Sequence, residues 1–288
     1  MDGKRIRPAL VLMSCDLFSG ALESALNPAV AIEIFHNFTL VHDDIMDRSE
    51  LRRGLPTVHI KYDENIAILS GDVMSILASR LINQSPGVVL HTVHDIFTKT
   101  AIQVCEGQQM DMNFEKQLTV PEADYLKMIE LKTAVLIAAS LKIGALLGGA
   151  SSKDSEDLYK FGRNLGIAFQ LQDDLLDAFG DPTLVGKKLG TDIVDNKKTF
   201  LTIRALDLAS PGQKAELESW LSKTDFDPDE KIRAVMKIYE DLDIEKLTQA
   251  MVKEYLDTAI NNLKHLSRPE ESKTELYNFA EFLMNRKK

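Results

Sequence analysis

Residues 166–177 read Gly-Ile-Ala-Phe-Gln-Leu-Gln-Asp-Asp-Leu-Leu-Asp, an apolar segment that ends in three aspartates. Apolar residues recur at intervals of three and four here and through most of the chain. That interval is the period of an α-helix, whereas the alternating runs typical of strands are nearly absent. The sequence therefore predicts an all-α protein.

The composition of the 288-residue chain limits its partners. Its formal net charge is −10, whereas nucleic-acid-binding surfaces are usually strongly basic. Two cysteines, Cys15 and Cys105, are too few for a disulfide framework, and no signal segment opens the chain. The longest apolar run, Val135–Leu147, is shorter than the about 20 residues that span a bilayer. We therefore expect a cytoplasmic protein with no membrane span, folded as one domain over residues 1–288.

Helical periodicity and helix-start signals divide the chain into successive helices. Asn27-Pro28 predicts a helix start, because asparagine caps a first turn and proline fits within it. Thr119 and Glu122 have the spacing of a capping box. Polar residues 48–56 predict a loop, and residues 180–198 predict a second loop rich in glycine and lysine. The predicted helices span residues 8–18, 28–46, 65–83, 88–114, 121–147 and 151–178, and shorter helices follow.

The first acidic cluster is Asp43, Asp44 and Asp47, at the end of a predicted helix. Asp43 and Asp47 share a face one helical turn apart, so their charges repel each other, and the helix C-terminus also disfavours them. A hard cation such as Mg²⁺ reverses that repulsion, since it is commonly held by one or two carboxylates plus substrate phosphates. A solvated acidic helix end is the alternative. The apolar segment before the cluster, and Arg52 and Arg53 after it, favour a metal and phosphate site.

A second cluster repeats this spacing at Asp173, Asp174 and Asp177. One such cluster is weak support for a metal site, but two indicate that different helices bring carboxylates to one diphosphate. A loop with Lys187 and Lys197 follows and is a candidate lid. A solvated surface loop with scattered lysines is the alternative.

Ordered motifs between residues 3 and 198 resemble those of the trans-isoprenyl diphosphate synthases, the polyprenyl synthetase family, and most resemble short-chain geranylgeranyl and farnesyl diphosphate synthases. The motifs are Gly3-Lys-Arg-Ile-Arg-Pro8, His42-Asp43 through Arg53-Gly54, Gly107-Gln108 with Asp111, Lys132-Thr133, and Phe169 through Asp177. The resemblance implies one large helical bundle around a deep central cavity, of the isoprenoid synthase type, and a homodimer. The family has a further helix before its first motif, so we expect an N-terminal helix to be missing here.

The resemblance also implies the substrates and their ligands, position by position. The substrates are isopentenyl diphosphate and an allylic diphosphate, and the cofactor is Mg²⁺, as three ions with bound diphosphate. The residues implied for isopentenyl diphosphate are Lys4, Arg7, His36 and Arg53. Those implied for the allylic diphosphate are Arg52, Lys132, Thr133, Gln170, Lys187 and Lys197. The implied metal ligands are Asp43, Asp47 and Asp173, with Asp44, Asp111 and Asp177 as further candidates.

The implied reaction is a head-to-tail condensation. Metal ions and cationic side chains stabilise the departing diphosphate while the allylic carbon–oxygen bond breaks, and the double bond of isopentenyl diphosphate then attacks the allylic cation. The residues implied to act in catalysis are Asp43, Asp47, Arg52, Lys132, Asp173 and Lys187. For Lys132, an alternative is that it only extends from an apolar helix to water.

Phe38 and Phe35 are the candidates for a floor that limits product length, because they precede Asp43 by one to two turns. In the family, a phenylalanine five positions before the first cluster, followed by the smaller Thr39, is more typical of geranylgeranyl than of farnesyl diphosphate synthesis. Farnesyl or longer products remain the alternative. Ordinary core packing is the alternative role for both rings.

Three other functions use part of this pattern. A terpene cyclase shares the helical cavity and one aspartate cluster, but its second metal motif reads differently. Head-to-head synthases of the squalene type differ in both clusters. A non-catalytic partner subunit of a prenyltransferase would not need two intact clusters and two basic sets, so we favour the enzyme.

Overall fold

A computed structural model describes residues 5–181 and 189–284, and these residues are almost entirely helical. The all-α prediction is confirmed. The elements in chain order are α1 (Ile6–Leu17), α2 (Leu22–Met46), β1 (Leu51–Arg52), β2 (Leu55–Pro56), α3 (Val58–Lys61), α4 (Glu64–Ile82), α5 (Gly87–Phe114), α6 (Glu122–Ile129), a π-helical turn (Glu130–Ala134), α7 (Val135–Leu147), α8 (Ser152–Phe179), α9 (Thr191–Val194), α10 (Phe200–Leu208), α11 (Pro211–Ser222), α12 (Pro228–Asp241), α13 (Ile244–Lys264), a 3₁₀ turn (Glu270–Lys273) and α14 (Thr274–Met284).

The described chain divides into two compact units. Unit 1 comprises residues 5–102, 136–162 and 262–273, and unit 2 comprises residues 103–135, 163–181, 189–261 and 274–284. The first aspartate cluster lies in unit 1 and the second lies in unit 2.

Unit 1 is organised by α2, which packs against α1 and α4. The α2 and α4 helices run antiparallel: Asn27, near the start of α2, donates to Gln84 just past the end of α4, whereas His42 contacts the carbonyl of Ile68 near its start. Burial of the apolar face of α2, with Phe35 packed against Phe97, orients the helix. The first aspartate cluster is therefore at the end of a well-anchored helix.

Unit 2 has two apolar clusters. In one, buried residues of α6, α8 and α10 pack together, including Tyr125, Leu171 and Phe200. In the other, α10, α11 and α12 pack around Leu201 and Trp220, among other residues. Apolar burial of this kind contributes roughly 25 cal/mol per Å² and fixes the helices that carry the second aspartate cluster.

The structure corrects three local predictions. The α2 helix begins at Leu22 and not at the predicted Asn27-Pro28 signal, so Pro28 lies inside the helix. Burial of Pro28 and Ala29 offsets the lost backbone hydrogen bond, because tertiary packing overrides weak local signals. No side-chain cap forms at Thr119 and Glu122, since Pro121 occupies the N-cap position of α6. The predicted 48–56 loop contains the short antiparallel pair β1 and β2.

One described helix, α4, is long and apolar enough to cross a membrane by length and composition alone. It has 19 residues, and its most apolar window has a mean hydropathy of 1.4 and is only 22% buried. A core helix would pass the same test on composition, but this one is exposed along one face. Leu69, Val73 and Ile76, spaced four and three apart, are 64%, 55% and 68% exposed. The apolar face of α4 therefore needs a partner surface.

Candidate active site

The end of α2 presents two of the three aspartates of the first cluster. Asp43 is half-buried and Asp47, which caps the helix, is exposed. Asp44 is buried and bound to Arg52, whose Nε lies 2.9 and 2.8 Å from its two carboxylate oxygens. Arg52 Nη2 lies 2.7 Å from Asp44 Oδ1 and 3.9 Å from Asp43 Oδ2. Asp44 thus holds the guanidinium of Arg52 beside Asp43, and the side chains of Asp43 and Asp47 are more exposed than that of Asp44.

Arg7 and His36 come together in unit 1, as the sequence predicted. Arg7 Nη1 donates to His36 Nε2 over 3.2 Å. Burial lowers the pKa of His36 to about 2, and the positive charges of Arg7 and three further arginines act in the same direction. His36 is therefore a neutral acceptor that orients Arg7. Lys4 lies outside the described residues, and Arg53 is exposed.

The neutral state of His36 predicts a pH-dependent loss of stability. The pKa of His36 is about 2 in the folded chain, whereas its ordinary value is 6.5. As the pH falls below 6.5, the imidazole therefore becomes protonated in the unfolded chain and stays neutral in the folded chain. The contribution of neutral His36 to the free energy of unfolding is complete above that pH. The free energy of unfolding is expected to fall by about 1.4 kcal/mol between pH 7.5 and pH 5.5. Urea unfolding at both pH values measures this difference, and His36→Gln, which keeps an acceptor for Arg7, is expected to reduce it. An equal pH difference in both chains would contradict the prediction.

Lys132 lies in the π-helical turn, and its Nζ donates to Asp111 Oδ2 over 2.6 Å. Lys197 Nζ lies 3.9 Å from the same oxygen and 3.2 Å from Glu115 Oε1. Gly107 packs against the turn so closely that an added Cβ would lie 2.3 Å from the backbone nitrogen of Lys132. Unit 2 therefore gathers two lysines around one aspartate, and a glycine is required for that approach.

Asp173 and Asp174 of the second aspartate cluster have different environments. Asp173 is half-buried, whereas Asp174 is buried and accepts hydrogen bonds from the Tyr125 hydroxyl and, over 3.0 Å, from Gln170 Nε2. Thr133 Oγ1 donates to Gln170 Oε1 over 3.1 Å. Burial raises the pKa of Asp174 well above its ordinary value. Asp174 thus anchors α8 to α6, and Asp173 is the accessible carboxylate beside it.

Asp177 is engaged in fixing the start of α9. Its carboxylate accepts from Thr191 Oγ1 over 2.6 Å and from the backbone N–H of Asp192 over 2.9 Å. Its carbonyl accepts from the backbone N–H of Gly190 over 2.7 Å. The lid candidate Lys187 lies outside the described residues, so the basic loop is characterised only from Leu189 onward.

The accessible carboxylates suit a hard divalent cation. Within residues 5–181 and 189–284, no three histidine, cysteine or acidic side chains lie close enough together to hold a metal by themselves. Each unit instead offers one or two accessible carboxylates, Asp43 and Asp47 in unit 1 and Asp173 in unit 2. Mg²⁺ commonly takes that many protein oxygens and fills its other positions with water and phosphate. The donor set therefore fits Mg²⁺.

Sequence reasoning missed Tyr125, which fixes Asp174 from a neighbouring helix. One signal was present: Tyr125 precedes Lys132 by two helical turns and so tends to share its face. It also missed Glu115, the partner of Lys197, for which the sequence offers no local signal.

Phe35 and Phe38 are adjacent on α2. Their ring centroids are 5.4 Å apart, and Phe35 also packs against Phe97 at 5.4 Å. Phe38 is only half-buried and meets the edge of His42 at 4.8 Å. His42 in turn lies against Gly71, where an added Cβ would be 2.2 Å from its Nε2. Phe35 is thus part of the core, and Phe38 is the ring that a chain-length floor would use.

Comparison with known proteins shows the family to which this chain belongs. The family model described as polyprenyl synthetase matches residues 1–239. A geranylgeranyl diphosphate synthase from Sulfolobus acidocaldarius is 40% identical over 293 residues, covering 99% of this chain and 88% of that protein. The solved structure of a geranylgeranyl pyrophosphate synthase matches with a TM-score of 0.94 and 43% identity, covering 100% of this chain and 89% of that one. Another from Corynebacterium glutamicum, complexed with isoprenyl diphosphate and magnesium, matches with a TM-score of 0.88 and 28% identity over 99% and 87% of the two chains. The chain therefore belongs to the polyprenyl synthetase family.

Proposed function

We propose that the chain is a short-chain trans-prenyltransferase that condenses isopentenyl diphosphate with an allylic diphosphate and makes geranylgeranyl diphosphate. The observation that carries this proposal is that each unit places a carboxylate beside cations suited to phosphate. Asp43 lies beside Arg52 in unit 1, and Lys132 and Lys197 meet at Asp111 in unit 2. The relatives named as geranylgeranyl diphosphate synthases support the product.

Asp43, Asp47 and Asp173 are the proposed Mg²⁺ ligands. The magnesium in the Corynebacterium glutamicum structure supports Mg²⁺ as the cofactor, and three ions with bound diphosphate are what the family resemblance implies. When bound, Mg²⁺ supplies Lewis-acid stabilisation of the diphosphate oxygens. Asp44, Asp111 and Asp177 are the further candidates, and each makes a direct side-chain hydrogen bond, Asp44 with Arg52, Asp111 with Lys132 and Asp177 with Thr191. We propose that these three carboxylates orient neighbouring groups and contact metal through water.

The cationic side chains bind the two diphosphates. Arg52, Lys132, Lys187 and Lys197 neutralise the charge that grows on the departing diphosphate, and this stabilisation lowers the barrier to ionisation. Thr133 and Gln170, already hydrogen-bonded to each other, add neutral contacts to the same group. Isopentenyl diphosphate is bound by Lys4, Arg7 and Arg53, with Arg7 oriented by neutral His36. The allylic cation requires a dry site, because water would capture it.

One assay separates this function from its rivals. The chain is incubated with Mg²⁺, isopentenyl diphosphate and geranyl or farnesyl diphosphate, and then with the allylic diphosphate alone. Elongated diphosphates that form only with both substrates support the proposal. Hydrocarbon from the allylic substrate alone would indicate a terpene cyclase or a head-to-head synthase. No product in either tube would favour a non-catalytic subunit.

Shortening Phe38 is expected to lengthen the products. Phe38 lies between the rings of Phe35 and His42 and is only half-buried, so its removal is expected to open space for further isoprene units. In Phe38→Ala, the largest product fraction is expected to shift upward by at least one five-carbon unit, measured by chromatography of dephosphorylated extracts. Phe282→Ala, at an exposed phenylalanine of α14, is the matched control. An unchanged distribution of product lengths in Phe38→Ala would show that Phe38 does not limit product length. A main product of fifteen carbons in the unaltered chain would favour the farnesyl alternative.

We infer that a second copy of this chain covers the apolar face of α4, giving a homodimer in the cytoplasm. The face is continuous over Leu69, Val73 and Ile76, which is unusual on a monomer surface. Sedimentation equilibrium tests this inference: the unaltered chain is expected at twice the mass of one chain, and Ile76→Glu is expected to shift it toward the monomer. A monomer in the unaltered chain would contradict it.

A further inference from the structure

Lys231, on α12, is fully buried and is not used by the proposed mechanism. Its Nζ donates to the carbonyl of Val194 over 3.1 Å and to Asn196 Oδ1 over 2.6 Å. It also lies 4.3 Å from the centroid of the Phe226 ring. A buried ammonium is costly unless its three donors are satisfied, and here two oxygens and one aromatic face satisfy them. Such an arrangement fixes the groups that accept the bonds.

The two acceptors of Lys231 lie in the turn that leads into Lys197. Val194 is the last residue of α9, and Asn196 follows with a φ of 56°, in the left-handed region that asparagine tolerates. The backbone N–H of Lys197 then returns to the carbonyl of Asp192 over 2.9 Å. The direction in which the side chain of Lys197 points therefore depends on the conformation of this turn.

The other end of the same segment is held by the second aspartate cluster. Asp177 accepts hydrogen bonds from Gly190, Thr191 and Asp192 at the start of α9. Residues 190–197 are thus fixed at their start by Asp177 and at their end by Lys231. Lys197 emerges from this segment toward Asp111 and Glu115.

We propose that Lys231 is a positioning residue for the allylic diphosphate, because it fixes the turn at 194–196 and thereby the ammonium group of Lys197. The proposal rests on the proposed function, in which Lys197 binds that diphosphate. Lys231 itself touches no substrate. Its loss is expected to act through Lys197 alone and to leave the isopentenyl diphosphate site unaltered.

The test compares Lys231→Met with Lys273→Met. Methionine keeps the length of the buried side chain and removes its donors. Lys273 is the matched control: it is also buried, and its Nζ donates to the carbonyl of Lys264 over 3.2 Å and to Glu270 Oε1 over 2.7 Å, in unit 1. Both variants lose a satisfied buried lysine, but only the first contacts the turn before Lys197.

Two measurements are made on each variant. Hydrogen exchange of the amides at 194–197 is expected to be at least tenfold faster in Lys231→Met and unchanged in Lys273→Met. The KM for geranyl diphosphate is expected to rise about tenfold in Lys231→Met, because that is the effect of losing one hydrogen bond to a charged group. The KM for isopentenyl diphosphate is expected to stay within twofold. In a Lys197→Ala background, Lys231→Met is expected to add no further increase.

Several results would overturn the proposal: unchanged exchange at 194–197, equal rises in both KM values, or full additivity with Lys197→Ala. If Lys231→Met does not fold, Asn196→Gly replaces it, since glycine keeps the positive φ and removes the acceptor oxygen. If the unaltered chain condenses no substrates, the proposed function fails. The exchange measurement then still decides, without substrate, whether Lys231 fixes the turn.

Discussion

Asp173→Asn is expected to lower kcat by a factor on the order of 10³ or more while the fold persists. A carboxylate that binds Mg²⁺ acts on the charge of the departing diphosphate, and metal ions of this kind contribute several kcal/mol in the transition state, where about 1.4 kcal/mol is tenfold in rate. Asparagine keeps the shape of the side chain and removes the charge. Asp43→Asn is expected to have an effect of the same order. Single-turnover rates at saturating Mg²⁺ and circular dichroism of each variant measure the two parts of this prediction.

The matched control for Asp173→Asn is Asp257→Asn, at an exposed aspartate of α13 that pairs with Lys253. Its kcat is expected to stay within twofold of the unaltered chain. A near-normal rate in either Asp43→Asn or Asp173→Asn would refute the proposal that both carboxylates bind metal. If a normal rate is restored only at high Mg²⁺ concentration, the carboxylate affects how tightly Mg²⁺ binds and does not stabilise the transition state.

Asp174→Asn tests whether the neighbouring aspartate has a different role. The Asp174 carboxylate is buried between Tyr125 and Gln170, so its replacement is expected to lower stability more than Asp173→Asn does. The loss of hydrogen bonds at a buried polar group costs roughly 1–3 kcal/mol. The sequence gives Asp173 and Asp174 the same chemistry, and only their environment distinguishes them.

The helices were predictable because their apolar period is strong. The predicted segment 65–83 and the observed α4 (Glu64–Ile82) agree to one residue, as do 151–178 and α8 (Ser152–Phe179). The start of α2 was not predictable, because the local signal at Pro28 is overridden by burial. The short strand pair that holds Arg52 was missed for a related reason: two-residue strands have no period to detect.

The candidate site was predictable as a set of residues, but the pairing among them was not. Spacing alone indicated that Asp43 and Asp47 share a face, and in the structure Asp43 is half-buried and Asp47 is exposed. Spacing does not indicate that Arg52 binds Asp44, since a loop separates them. Likewise, the role of Asp177 at the start of α9 depends on backbone N–H groups, which every residue carries and no sequence pattern marks.

Gly107→Ala is expected to lower kcat/KM about 100-fold, although it adds a single methyl group. The added Cβ would lie 2.3 Å from the nitrogen of Lys132 and 2.8 Å from the carbonyl carbon of Leu131. These are backbone atoms, so no side-chain rotation relieves the contact, and α5 and the π-helical turn must separate. π-helical turns of this kind are frequent at functional sites. A shift of about 1 Å in a positioned catalytic group costs on the order of 10²-fold in rate.

Stability should respond less than activity in Gly107→Ala. Overpacking costs typically 1–3 kcal/mol, whereas alanine in a helix interior recovers about 1 kcal/mol relative to glycine. The matched control is Gly87→Ala, at the first residue of the same helix α5, where an added Cβ meets nothing within 4 Å. Thermal unfolding and kcat/KM for both substrates are measured in each variant. A folded Gly107→Ala chain with kcat/KM within twofold of normal would show that the close approach of α5 to Lys132 does not position that lysine. Because the clash falls on the backbone of Lys132 itself, a large loss of activity with a small loss of stability would tie the glycine directly to Lys132, which we propose binds the departing diphosphate.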